Sequence, residues 1–295
     1  MNPAAVATGH VTAALELPAG LDTGPAVTAA NQLPGGWHLL GPGSESRDRT
    51  AVTVTYADAE PTVAVDRQGV RLSLPPVAAR SATLAYTTYT ALERARQQQR
   101  MLTLHANAAV TPSGCGVLLL GNKGAGKTSV TLALGARGWT YAGDDLAVLA
   151  EDGNQLLIMP GKGTAAVRPQ DPELWQASKP VVGLTPFLRA PVPLAAVIRL
   201  TVHPAVPRPV LVPATPFSVN EQLRLHEALA RYISGLPTPL TGPTGAPYGT
   251  VWPLDDLTLA RWRTHLIARL EQHPYTYLYA PDPQAAADLI SKEYV

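Results

Sequence analysis

Gly121-Asn122-Lys123-Gly124-Ala125-Gly126-Lys127-Thr128 is the stretch that decides the fold of this chain. Every constrained position of a phosphate-binding loop is filled, between an apolar strand pattern, Val117 to Leu120, and a helical pattern, Lys127 to Ala136, that ends at Gly138. Glycines let backbone N–H groups curl around an anionic oxygen without Cβ interference, and the helix that follows points its positive end at the same anion. Gly121, Asn122, Lys123, Gly124, Ala125, Gly126, Lys127, Thr128 and Ser129 are therefore the candidate nucleotide-binding residues. Lys127 is expected to neutralise the β- and γ-phosphates of ATP, and the Thr128 hydroxyl to ligate Mg2+. No motif separates ATP from GTP.

Downstream, Trp139 to Ala142 reads as a short strand delivering Asp144-Asp145, where a loop of this kind meets acids at the carboxyl end of a neighbouring strand. One carboxylate, Asp144, is the candidate acceptor of a proton from an attacking hydroxyl; Asp145 is the candidate metal ligand. Upstream, Leu102 to Val110 reads as one strand that carries His105. Leu146 to Ala150 and Gln155 to Met159 form a hairpin pattern around Glu151-Asp152-Gly153-Asn154, and Leu194 to Val202 a further strand. Ser218 to Leu236 is predicted helical, with Ser218 and Glu221 spaced as a cap, followed by a proline- and glycine-rich loop, Pro237 to Pro253. Ala260 to Gln272, Thr276 to Tyr279 and Pro283 to Lys292 read as helix, strand and helix. Alternating strands and helices predict an α/β layer over residues 101–295.

Residues 1–100 read differently. Asn2 to Gly36 lacks a periodic apolar pattern and is expected to be an irregular arm. Ala51 to Tyr56, Thr62 to Asp66 and Val70 to Leu74 alternate apolar and polar residues and predict an antiparallel meander. Ser81 to Arg100 predicts a connecting helix whose Arg94, Arg96 and Arg100 belong to a solvated face. The expectation is a smaller N-terminal β-rich α+β module before the nucleotide-binding domain.

Composition narrows the function. Against 23 Lys+Arg stand 22 Asp+Glu, a formal charge of +1, which argues against a nucleic-acid binder or a polybasic membrane binder. One cysteine, Cys115, excludes an internal disulfide and is expected to be a small buried apolar residue. Seven histidines at scattered positions never reach structural-zinc spacing. Residues Met1 to Leu21 lack a signal-peptide pattern and no run approaches the ~20 apolar residues of a membrane span, so a cytoplasmic location is the expectation. Tyr275, Tyr277 and Tyr279 alternate as one strand face would, and Phe217, Trp252 and Trp262 are core candidates.

His105, the loop Gly121 to Thr128, Arg137-Gly138 at the helix end, and Asp144-Asp145 occur in an order and at a spacing that resembles the HPr kinase/phosphorylase C-terminal domain and its HPr-kinase-like relatives. The tail Tyr275 to Asp282, followed by a helix, also looks like theirs. The resemblance implies a P-loop fold related to phosphoenolpyruvate carboxykinase, an ATP- and Mg2+-dependent phosphotransferase, Asp144 as base toward a seryl hydroxyl, His105 in support, and a homo-oligomer. The stretch Glu-Val-Arg-Gly and the glycine- and lysine-containing loop of HPr-acting enzymes have no aligned counterpart here. Pro160 to Thr164 and Arg168 occupy that neighbourhood, and Asp171 or Glu173 is the candidate second metal ligand. The expected reaction is transfer of the γ-phosphoryl group to a Ser or Thr of a peptide or small protein, such as a ribosomal natural-product precursor. A kinase of a free hydroxyl metabolite and a nucleotide-dependent regulatory protein without phosphotransfer stay open.

Overall fold

The computed structural model describes residues 2–8, 10–30, 38–40, 49–56, 62–66, 69–80, 83–167, 180–234 and 254–294. The chain is a mixed α/β protein that divides into two compact units, 1–100 with 230–261, and 101–229 with 262–295. Residues 230–234 and 254–261 thus group with the first unit, which a division at residue 100 alone does not provide. Among the described residues no helix is long and apolar enough to cross a membrane.

In the first unit, β1 (Asn2–Thr8) and β2 (Val11–Leu17) precede α1 (Gly24–Ala30) and β3 (His38–Leu40). There follow β4 (Arg49–Tyr56), β5 (Thr62–Asp66), β6 (Gly69–Leu74), α2 (Pro76–Ala79) and α3 (Thr83–Gln98). The strands form one mixed sheet in the order β3-β1-β2-β4-β6-β5. Two expectations are corrected. The N-terminal segment is not an irregular arm: β1 and β2 make an antiparallel hairpin, with Val11, Leu15 and Leu17 buried at alternate positions that alanines disguise in the sequence. The three alternating runs are strands but not a meander, because β4 pairs parallel with β6 while the largely exposed β5 sits at the edge.

The arginines of α3 are corrected too. Arg96 is 2% exposed and bonds buried Glu93 at 2.7 Å, and Arg94 reaches the Leu254 carbonyl at 2.6 Å and Asp256 at 2.7 Å; of the three, only Arg100 is exposed. The helix is covered on more than one side, since Tyr89 also meets Tyr232 edge-on within this unit.

The second unit is built on β7 (Met101–Leu104), β8 (Asn107–Val110), β9 (Gly116–Leu120), α4 (Lys127–Gly135), β10 (Thr140–Gly143), β11 (Ala147–Asp152) and β12 (Gln155–Met159). A small ribbon, β13 (Thr164–Ala166) with β14 (Val181–Gly183), precedes β15 (Val192–Val202) and β16 (Val210–Pro213). The unit closes with α5 (Val219–Ala230), α6 (Leu257–Leu270), which begins in the first unit, β17 (Tyr275–Ala280) and α7 (Pro283–Tyr294). The main sheet runs β10-β8-β9-β15-β12-β11-β7, with β17 parallel on β15 and β16 antiparallel on β17.

Strands β9, β15 and β17 are mutually parallel, and β10 shares their direction because β8 is antiparallel to both β9 and β10. Burial on both faces explains the unbroken apolar text of β9. One face carries Val117, Leu119, Ile198, Leu200 and Leu278 against Val130 and Leu134 of α4 and Ala286, Ala287 and Ile290 of α7. The other carries Leu118, Leu120, Val197 and Tyr275 against Leu225 and Leu229 of α5 and Trp262, Leu266 and Leu270 of α6. The expected single strand 102–110 is two: it breaks at His105, so that β7 pairs with β11 while β8 pairs with β9 and β10.

The capping expectation holds for Ser218, whose Oγ accepts the Glu221 N–H at 3.2 Å. The Glu221 side chain turns inward instead. It is 1% exposed and takes two bonds from Arg199 of β15, at 2.9 and 2.6 Å, one from Tyr277 at 2.7 Å, and one from Tyr275. The alternating tyrosines therefore do more than pack: burial and the Glu221 charge both push the Tyr277 hydroxyl above its ordinary value. Phe217 and Trp262 lie in the core as expected, Trp252 and the 237–253 loop fall outside the described residues, and Cys115 is half-buried rather than buried.

Removing one member of this buried ion pair leaves the other without compensation. Glu221→Ala is expected to cost ~3–5 kcal/mol in urea unfolding, whereas an Arg199→Met/Glu221→Leu pair recovers most of that loss. Equal destabilisation in the single and double variants would contradict the account.

Candidate functional site

The site lies where the carboxyl ends of β9 and β10 meet the start of α4. β9 ends at Leu120, the loop spans 121–126, and α4 begins at Lys127. At Gly126 the backbone is left-handed (φ 92°) and a Cβ would come within 2.9 Å of Val202, so only glycine lets the loop lie against β15. Lys127 is 5% exposed, and its ammonium folds over the loop to donate to the Gly121 carbonyl at 2.9 Å and the Asn122 carbonyl at 3.3 Å. Asn122, Lys123, Gly124 and Ser129 are exposed, while Gly121, Ala125 and Thr128 are half-buried.

β10 delivers Asp144 to the same end of the sheet. Its carboxylate is 1% exposed; Oδ1 accepts the Asn107 amide at 2.5 Å, and Oδ2 is buried with no hydrogen-bond partner. Burial is the largest influence and raises the carboxyl above its ordinary range, joined by the Asp145 charge. The Thr128 hydroxyl, the Asn107 amide and the Lys162 charge pull it back down. Thr128, at the first turn of α4, therefore lies beside the Asp144 carboxylate. Asp145 is half-buried and holds a left-handed backbone (φ 57°), with its N–H bonded to Asn107 Oδ1 at 3.1 Å.

Two residues with no role assigned from the sequence organise this arrangement. Asn107, fully buried in β8, spends both ends of its amide: Nδ2 donates to Asp144 and, at 3.0 Å, to Thr131 Oγ1, and Oδ1 accepts from Asp145. Thr131 in turn donates to the Lys127 carbonyl at 2.9 Å, which ties the loop helix to the acid turn. An Asn placed between alanines just after a histidine was the only trace of this in the sequence. Lys162 is the second. Its carbonyl accepts the Asp144 N–H at 3.2 Å and its N–H donates to the Leu146 carbonyl at 3.1 Å, so 160–163 lies along the acid turn. A Cβ on Gly161 would stand 2.3 Å from the Leu146 carbonyl, which fixes glycine there.

His105 occupies the bend between β7 and β8. Because Asn107 pairs with Leu119 and Leu104 with Ala147, the registers bring His105 level with Gly121 on one side and Leu146 on the other. It is thus at the loop end of the sheet, half-buried. Arg168, Asp171 and Glu173 lie outside the described residues. Arg137 closes the far end of α4, binding Asp288 and Gln284 of α7 at 2.8 and 2.9 Å, a structural clamp remote from the loop.

Among the described residues no group of three or more His, Cys, Asp or Glu could hold a metal ion unaided. The donor set nevertheless fits magnesium in one respect: a buried carboxylate oxygen without a partner stands beside a hydroxyl and a second carboxylate-bearing residue. Mg2+ characteristically takes only one or two protein oxygens and completes its shell with water and substrate phosphate.

No family model matches this chain, and no curated protein matches it. Among solved structures, that of the HPr(Ser) kinase/phosphatase from Coxiella burnetii is similar to it over 38% of this chain and 75% of that one, with 25% sequence identity and a TM-score of 0.27. The chain is thus distantly similar, over part of its length, to an HPr kinase.

Proposed function

We propose that this protein is an ATP-dependent phosphotransferase that passes the γ-phosphoryl group to the hydroxyl of a Ser or Thr in a peptide or small protein. The observation that carries the reading is the buried Asp144 carboxylate, one oxygen held by Asn107 and the other without a partner, beside Thr128 and the lysine-bearing loop. An acceptor hydroxyl or a metal-bound water would satisfy the unpartnered oxygen.

In this reading the loop amides and Lys127, released from the Gly121 and Asn122 carbonyls, surround the β- and γ-phosphates. Thr128 and Asp145 would hold Mg2+, which supplies charge neutralisation on the phosphate oxygens. Asp144 accepts the proton of the acceptor hydroxyl as its oxygen approaches phosphorus in line; the bond to the bridging oxygen of ADP breaks as the new one forms. Burial favours that step, because a carboxylate raised above its ordinary range is a stronger base. His105, level with Gly121, supports the acid turn from its side of the sheet. The acceptor class rests on the resemblance of His105, the loop and Asp144-Asp145 to the HPr-kinase-like set.

Lys127→Ala is expected to weaken ATP binding by at least tenfold and to lower transfer with it, measured by calorimetry and by phosphopeptide mass spectrometry. Asp144→Asn should keep ATP affinity within about threefold and drop transfer by ~10²–10⁴. Equal loss of both properties in Asp144→Asn would falsify its role as base. Asn107→Ala, which strips Asp144 and Asp145 of one support each, should lower stability by ~1–3 kcal/mol and transfer as well. A wild-type chain that binds ATP yet phosphorylates neither Ser/Thr peptides nor small hydroxyl compounds would turn the reading toward a nucleotide-controlled binding protein.

A further inference from the structure

The parallel strands on the side of the loop away from Asp144 also end here, and their ends are joined to it. Val202, the last residue of β15, donates its N–H to the Ala125 carbonyl inside the loop at 3.2 Å, and its side chain fills the space a Cβ on Gly126 would take. The next residue, His203, is exposed and fixed from three directions. Its N–H bonds the Ala280 carbonyl at the end of β17 (2.9 Å), its carbonyl accepts the Val206 N–H (2.9 Å), and its ring Nδ1 accepts the Ala205 N–H at 3.1 Å. An exposed histidine ordinarily rotates freely. This one has its ring plane set by the backbone of its own turn, with Nε2–H as the remaining donor.

The direction of a bound nucleotide follows from which flank carries the acid. β10 and Asp144 lie on one side of β9, so the terminal phosphate leans that way. The nucleoside must then leave the loop on the opposite side, over the carboxyl ends of β15 and β17, the region where open α/β sheets take their ligands. The residue presented there is His203. We infer that the 202–206 turn is the nucleoside subsite, with the imidazole of His203 as the face on which a purine base stacks. This deepens the proposed function and rests on it for the orientation of the triphosphate. The chemistry fits: a flat ring held in one plane offers a π-face at little cost in lost side-chain freedom, and histidine is among the side chains on which unpaired bases stack. It also gives the β15–β17 pairing a use beyond packing, since the subsite depends on both strand ends being held at the loop.

The test is calorimetric titration of the full chain with ATP and, separately, with inorganic tripolyphosphate, both with Mg2+. His203→Ala is expected to weaken ATP about tenfold or more and leave tripolyphosphate within about twofold. His203→Tyr should restore ATP to within about threefold of wild type, because it keeps a stacking face. Unchanged ATP affinity in His203→Ala overturns the inference, as does an equal loss of ATP and tripolyphosphate, which would mean that the turn merely props the loop. A wild-type chain that binds neither ligand overturns the phosphate-loop reading itself and this subsite with it; one that binds tripolyphosphate as tightly as ATP overturns the subsite alone.

Discussion

A single buried amide holds the candidate site together. Asn107 sits on β8, the antiparallel strand wedged between the two parallel strands that matter most, β9 with its loop and β10 with its acids. Those two strands cannot bond each other, so something on β8 must make their ends one unit. The carboxamide does so by donating to Thr131 and Asp144 while accepting from Asp145. A neutral side chain with two donors and an acceptor is suited to this, since it steadies a buried carboxylate without neutralising it. A lysine at that position would cancel the charge of Asp144; an aspartate would repel it.

The consequence is a carboxylate with a divided character. Asp144 Oδ1 is spoken for, and Oδ2 is not. In a protein interior a lone polar atom costs roughly 1–3 kcal/mol, and that cost is tolerated where a ligand or reaction supplies the missing partner. The Lys162 turn contributes the opposite influence, a positive charge that limits how far burial can push the acid. By contrast, Glu221 is buried just as deeply but fully satisfied by Arg199, Tyr275 and Tyr277. Saturation of that kind is what a structural cluster shows, and the two buried acids differ in it.

How much of this could be read in the sequence depended on whether the determinants were local. The loop, its helix and the acids after β10 were legible because each is a short run with its own spacing, as were the hairpin of β11 and β12 and the cap at Ser218. The break at His105 was not. Leu102 to Val110 alternates apolar residues with Thr103, His105 and Asn107 as one continuous strand would, and only the different partners of β7 and β8 divide it. Nor did the pattern distinguish a meander from β4 pairing with β6, because alternation reports which residues face the core and says nothing about the neighbour. Asn107 and Lys162 were hidden for the same reason: their partners lie on elements remote in sequence. Arg94 misled because charge on a helix is solvated only if no returning segment covers it, and Leu254 and Asp256 meet it; Arg96 misled because it is buried with Glu93 of its own helix.

That contrast bears on how function is distributed over the sheet. Four parallel strands end at the same edge of the sheet in a staggered order, β10 first, then β9, then β15 with β17, each followed by a different turn: acids after β10, the glycine loop after β9, a fixed imidazole after β15, and the carbonyl of Ala280 that anchors it at the end of β17. Reading across the sheet, paired acids give way to a glycine-rich loop and then to a flat ring. This is the order of demands that a magnesium-bound nucleoside triphosphate makes from its terminal phosphate to its base. No single turn would justify the assignment, since paired acids, glycine loops and exposed histidines are each common. The sequence of the three along one edge, held in place by Asn107 on one flank and by the Val202–Ala125 bond on the other, is a stronger constraint than any of them alone.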